Sequence, residues 1–305
     1  MAKRQKMSSI KLADISENYL FILPAVIIFA IFYIYPFIDI INLSLHEWKG
    51  IGPKVFVGLR NFKELMSDKI WWKSIWNATY ITLWALTFQN VLAFMLALAC
   101  DREIRFKKFY RVVFFIPPVL SQVVVGLIWR WILNAGKQDG QYIGLLNHLL
   151  DSIGLHHLTN DWLSDPATAL TCIAIVHCWM GFGWGFIMLL AGLQTIDKQL
   201  YEAAKVDGAS SWSTFWNVTI PMMVPVILVV VILTVLGSMQ AFILVLSMVG
   251  QGLVHHTDVP VTRILGAMQG TKEFGYACAM GVNFAIILIA VSALMKMGSN
   301  KLKQA

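Results

Sequence analysis

Six long apolar runs recur along the chain, separated by polar stretches. They lie near residues 19–45, 75–100, 109–134, 168–194, 220–248 and 275–297, each close to the ~20 residues a bilayer core requires. Backbone polar groups in lipid are satisfied only in helices or closed barrels. The pattern therefore predicts an all-α membrane protein with six transmembrane helices. Its expected division is a segment over 1–18, a six-span unit over 19–298 with an internal polar loop at 195–219, and a tail over 299–305. The polar stretch after the first run ends in an amphipathic part, Asn61 to Trp76, suited to lie along the membrane surface. The loops 135–167 and 249–274 are long, as loops that act or contact a partner tend to be. Pro117-Pro118 must break the third span, and broken backbone at membrane depth is tolerated where protein buries it or where it lines a cavity.

Composition agrees. Of 305 residues, 58% are hydrophobic and 13% charged, about half the ~25% charge of a soluble domain, and the mean hydropathy is +0.67. The net charge of +7 forms no basic stripe, which argues against nucleic acid; membrane lipid is the expected surrounding. Lys and Arg gather beside the apolar runs instead. Lys3, Arg4, Lys6 and Lys11 precede the first span, Arg102, Arg105, Lys107, Lys108 and Arg111 follow the second, and Lys301 and Lys303 end the chain. An even number of spans places all three clusters on one side, and dense basic loops mark the cytoplasm. Both termini and the 195–219 loop are then cytoplasmic. The 46–74 loop carries six Lys or Arg as well, offset by Glu47, Glu64 and Asp68. The first apolar run is far longer than the ~7–15 residues of a signal-peptide core, so it reads as a retained span.

Cys100, Cys172, Cys178 and Cys278 form no C-x-x-C pair and sit in or beside apolar runs, as free thiols would. His156-His157 and His255-His256 are adjacent pairs, and neighbouring residues rarely converge on one ion. No metal site is expected.

The cytoplasmic loop reads "YEAAKVDGASSWSTFWNVTIPMMVP" from Tyr201. Its strong helix formers end at Asp207-Gly208, where glycine can take a left-handed conformation. Ser210 or Ser211 can cap a second short helix, and Pro221 and Pro225 suit the first turns of the fifth span. Helix chemistry alone leaves open whether this is a docking surface or a connector lying on headgroups.

Glu202-Ala203-Ala204, Gly208, Val218, Ile220 and Pro221 resemble the E-A-A-x(3)-G-x(9)-I-x-L-P motif of ABC-importer membrane subunits, with conservative departures at Val218 and Ile220. Asp207 and Ala209 extend the likeness. "LPAVIIFAIFYIYPFIDIINLSL", "FVGLRNF", "FFIPPVLSQVVVGLIWRWILN" and "GYACAMGVNFAIILIAV" are similar to the carbohydrate branch, the maltose- and glycerol-phosphate-type permeases. The resemblance implies a multi-pass bacterial cell-membrane permease that moves a sugar or sugar derivative. Its coupling helix would lie between spans four and five, with Glu202 as a polar anchor, Ala203 and Ala204 as the close-contact surface, Gly208 as the turn and Phe215 as an apolar anchor. It further implies a heterodimer with a second, homologous permease, two cytoplasmic ATPase subunits and an external solute-binding protein. No G-x(4)-G-K-[ST] loop occurs in this chain. The expectation is a non-enzymatic subunit with no cofactor of its own, and with ATP and Mg on the partner ATPases.

Polar groups at membrane depth tend to line pathways. His177, Gly181, Trp184 and Met188 fall at i, i+4, i+7 and i+11, on one helical face, so a sugar ring could stack on Trp184 while His177 bonds a hydroxyl. Gln240, beside Gly237 and Ser238, together with Gln89, Asn90 and Asn283, completes the candidate pathway. All are uncharged, which suits a neutral polyol; hydrogen bonds between helices account for each equally well. An ion-coupled secondary transporter is the alternative. It calls for ionisable residues at the midplane and an internal repeat; no repeat is evident, and Asp39 and Arg130 fall near the outer interface. A membrane scaffold would need no polar face at all.

Overall fold

The computed structural model describes residues 20–102, 105–250 and 256–302, with side chains as far as 298. The segment 1–18 with its four basic residues, His255 and Lys303 lie outside the described residues. Twelve α-helices and two small hairpins make up the described chain. Helix α1, Leu20–Ser44, leads to a hairpin of β1 (His46–Glu47) and β2 (Val55–Phe56), paired His46 to Phe56. Helices α2 (Arg60–Ser67) and α3 (Lys69–Asp101) follow, then α4 (Lys107–Val119) and α5 (Gln122–Ile132). Strands β3 (Lys137–Gln138) and β4 (Gln141–Tyr142) and helix α6 (Leu145–Ser152) fill the long loop before α7 (Ala169–Leu193). The remaining helices are α8 (Lys198–Val206), α9 (Ser211–Met239), α10 (Phe242–Val249), α11 (Pro260–Gly266) and α12 (Phe274–Leu302).

Among the described residues, five helices are long and apolar enough to cross a membrane: α1, α3, α7, α9 and α12. The count becomes six if α4 and α5, bent by 90°, form one span. Helix α7 is the hub. Its most apolar stretch is 61% buried, against 28% or less in the other four helices. Its first half joins a core with Trp71, Ile81, Val235, Leu244, Met248 and Met280. Its second half joins another with Ala93, Ala97, Met223 and Val230. Gly183 permits the approach of α4: a side chain there would overlap the Phe114 carbonyl and come within 2.7 Å of Pro118. Phe114 then packs edge-on to Phe186 at 5.5 Å.

Three features refine the hydropathy reading. Pro117 and Pro118 stay inside the last turn of α4, and the chain leaves the helix after them, at Leu120 and Ser121, both extended. The break expected at this pair is thus present, at the residues just beyond it, with the two helices bent by 90°. The fifth apolar run is likewise two helices, broken at Gln240 and Ala241. At its other end, Ser210 does cap, its Oγ accepting from the Ser213 N–H at 3.2 Å. The helix it starts is not separate, however: it runs unbroken from Ser211 to Met239 through a π-helical turn at Phe215–Thr219. There the Ile220 N–H bonds the Phe215 carbonyl five residues back, so Pro221, which has no N–H, enters without ending the helix. The same device precedes Pro36, where the Tyr35 N–H reaches Ala30.

Polar anchors tie the helix ends together. Asp68 caps α3 through the Ile70 and Trp71 N–H groups and accepts the Tyr276 hydroxyl at 2.9 Å. Asn77 donates to the carbonyls of His256 and Asp258, 2.8 Å each. In the 135–167 loop, the Asn160 amide and the Ala167 N–H hold the Asp165 carboxyl below its usual range.

The two short helices beyond the breaks pack on each other. A Cβ at Gly126 of α5 would overlap the Ser247 hydroxyl of α10 and lie 2.6 Å from its Cβ. Gly126→Ala is therefore expected to cost about 1–3 kcal/mol through overpacking, read as a lower midpoint in SDS-titrated unfolding. Ser247→Gly in the same chain should recover most of that loss.

Candidate functional site

A cavity of about 250 Å³ opens beside α7. The helical period brings His177, Gly181, Trp184 and Met188 to its wall, with Gln89 from α3, Gln122 from α5, and Thr234, Gly237 and Ser238 from α9. Asp, Glu, Lys and Arg are absent from this wall among the described residues. His177 Nε2 lies 2.9 Å from Ser238 Oγ, joining α7 to α9 across the cavity. Trp184 is 61% exposed and meets Phe115 in a T-shaped contact at 6.0 Å.

The amide groups are only partly satisfied. Asn90 sits behind the wall, its Oδ1 accepting from Thr234 Oγ1 at 3.1 Å, while its Nδ2 has no partner. Gln89 is 6% exposed, and its buried Oε1 has no partner either. A Cβ at Gly181 would overlap the Gln89 amide, so Gly181 is what lets that amide occupy the wall. A buried polar atom left unpaired costs about 1–3 kcal/mol, so these two amides are held in place at some expense.

Two candidates lie elsewhere. Gln240 is exposed at the α9–α10 break and donates to the Leu236 carbonyl of its own helix at 3.0 Å. Asn283 accepts from Trp71 Nε1 at 3.1 Å, a bond between helices. Ser238, Thr234 and Gln122 belong to the wall but not to the polar set drawn from the sequence. The hydroxyls of Ser238 and Thr234 gave no signal because such groups in apolar runs so often bond their own helix; Gln122, an amide, was simply not singled out. Among the described residues, no group of three or more His, Cys, Asp or Glu converges as a metal site would require.

The second assembly lies at the foot of α7. Asp197 starts α8, its Oδ1 accepting from the Gln199 N–H at 2.9 Å. Gly208 ends it at φ +73° with open space around it. Glu202, Ala203, Asp207 and Gly208 are exposed, and Ala204 and Ala209 are half-buried. Pro221 is exposed on α9; Phe215 is half-buried, stacked with Trp212 and 6.1 Å from Phe94 of α3. Tyr201, outside the motif, places its hydroxyl 3.2 Å from Thr219 Oγ1.

Fold, cavity and exposed foot together define a membrane-embedded transport subunit. Residues 89–304 match the family described as "Binding-protein-dependent transport system inner membrane component". A probable ABC transporter permease of Bacillus subtilis, YurN, is 32% identical over 282 residues, covering 92% of this chain and 94% of that protein. NgcF of Streptomyces coelicolor, a diacetylchitobiose uptake system permease, is 31% identical over 280 residues (88% and 78%). A permease chain in the crystal structure of a bacterial alginate ABC transporter, solved in complex with alginate pentasaccharide-bound periplasmic protein, has the same fold. Its TM-score is 0.80 at 24% identity, covering 96% of this chain and 98% of that one. The chain belongs to this family of inner-membrane ABC permeases. It is a transmembrane component and not an enzyme.

The wall geometry makes Gly181 the sensitive position. Gly181→Val should displace Gln89 and fill the cavity, lowering solute uptake at least about tenfold, ~1.4 kcal/mol. Gly281→Ala on α12, where a Cβ meets nothing within 4 Å, should retain uptake when both are assayed at equal membrane abundance.

Proposed function

We propose that the chain is the six-span permease subunit of an importer for an uncharged saccharide. Helices α4 and α5 count as one broken span, both termini are cytoplasmic, and the α7–α9 cavity is part of the solute path. The observation that carries this reading is the cavity itself: an uncharged wall between the middle of α7 and the C-terminal end of α9, with an exposed tryptophan and the Gln89 amide set into it. Sugars present that chemistry, an apolar ring face edged by hydroxyls. A carboxylate moved there would meet no lining cation, and an unpaired buried charge is strongly disfavoured. The same uncharged wall disfavours an ion-coupled carrier, which needs ionisable groups on its path. The sugar named for the Streptomyces relative supports a saccharide substrate, and the periplasmic protein of the alginate transporter supports an external donor.

Helix α8 and its Asp207–Ala209 turn form the coupling helix. Two ATPase subunits holding ATP and Mg dock below it and below the corresponding helix of a second permease. Exposed Ala203 beside exposed Glu202 offers a low-relief surface with one polar anchor. Closure of the ATPases would then shift the spans between two states that differ in which side reaches the cavity.

The turn provides the test. Gly208 holds φ +73°, which proline, fixed near −65°, cannot adopt. In proteoliposomes containing the assembled importer, Gly208→Pro is expected to abolish uptake of the neutral sugar while the protein remains in the membrane. Normal uptake by that variant contradicts the coupling role. In the parent importer, a disaccharide carrying a uronate should not compete for uptake; competition contradicts the neutral substrate.

A further inference from the structure

The proposed docking helix and the proposed cavity sit at opposite ends of α9, and the chain between them is soft. The turn Asp207–Ser210 pivots on Gly208, with open space around it. The foot of α9 then passes through the π-helical turn at Phe215–Thr219, after which the helix runs on regularly through Pro221 and Pro225. Such turns are the places where a helix bends. A push on α8 transmitted only along the backbone would be absorbed before reaching the regular part of α9.

One side-chain bond bypasses that stretch. Tyr201, in the middle of α8, packs against the core built from Phe186, Leu193 and Met223. Its hydroxyl reaches Thr219 Oγ1 at 3.2 Å. Thr219 is the last residue of the π turn and is 5% exposed. Water does not compete freely for a bond at such a site, and the local dielectric strengthens it. From Thr219 to Thr234 is 15 residues, about 22 Å of helix, and α9 stays continuous through Pro225 over that length. Thr234, Gly237 and Ser238 on the cavity wall therefore ride on the segment that Tyr201 holds.

We propose that Tyr201 and Thr219 form the clasp through which movement of α8 reaches the cavity. They act as positioning residues: neither touches the solute, and the Tyr201 hydroxyl points away from the exposed face of α8. The proposal rests on the reading of α8 as the ATPase-docking helix.

The test uses the complete importer, with its second permease, ATPases and binding protein, in proteoliposomes, and reads sugar transported per ATP hydrolysed. Tyr201→Phe removes one oxygen. The ATPase should co-purify as with the parent and keep hydrolysing ATP, while transport per ATP falls about fivefold or more, the lower range of a typical coupling energy. Thr219→Val should do the same, and the double variant should be no worse than either single one. Thr219→Ser, which keeps the hydroxyl, should restore the parent ratio. Unchanged transport per ATP in both single variants overturns the clasp. So does loss of the ATPase from Tyr201→Phe, which would place the hydroxyl in the docking face. Normal uptake by Gly208→Pro is a separate outcome: it overturns the docking reading beneath the proposal.

Discussion

Every peptide group between the membrane faces has to find its hydrogen bond within the protein, and this chain departs from regular α-helix at a few places only. Beside the π turns at Ala85–Gln89 and Ala267–Thr271, four departures among the described residues have a local solution. Ahead of Pro36 and Pro221, a π turn moves the bonds one residue further back, to Ala30 and Phe215. After Pro117-Pro118 and at Gln240-Ala241 the helices stop instead, and two short helices take over. Those two helices cover one another at Gly126 and Ser247, with the Ser247 hydroxyl 3.5 Å from the Gln122 carbonyl. Gln122 also lines the cavity. The interrupted backbone thus stands beside the α7–α9 cavity, where protein and cavity can satisfy it.

Much of this was legible in the sequence because it depends on period and spacing. The apolar runs marked the long helices, and the i, i+4, i+7, i+11 positions from His177 to Met188 do share one wall. The left-handed turn at Gly208 followed from its neighbours. What spacing could not show was partnership between distant residues. Tyr201 and Thr219 are 18 apart, and Asn283 is 212 residues from the indole it serves. Nor does an amide in an apolar run reveal whether it faces a cavity, like Gln89, or its own helix, like Gln240. Prolines behaved differently at the two sites: Pro117-Pro118 sit immediately before a 90° break, as expected, whereas Pro221 follows a π turn within a continuous helix.

The same helices serve stability and transport. Helix α7 fills both cores yet gives its glycine-lined face to the cavity. Helix α9 closes the opposite wall and follows α8 across the Gly208 turn. The His177–Ser238 contact joins the two at the cavity, and the Tyr201–Thr219 contact joins the second of them to its foot. In the proposed mechanism, work delivered below Gly208 would reach the wall as displacement of α9 against α7.

That displacement is the central claim, and a distance measurement addresses it directly. Ile175 on α7 and Val229 on α9 are exposed, 42% and 47%, so both accept spin labels as cysteines once the four native thiols are replaced. Pulsed electron-paramagnetic-resonance distances would be recorded in the assembled importer without nucleotide and with trapped ATP. The account predicts that the α7–α9 distance distribution moves to a new position when nucleotide is trapped. A distribution that stays in place while the ATPases close would contradict it.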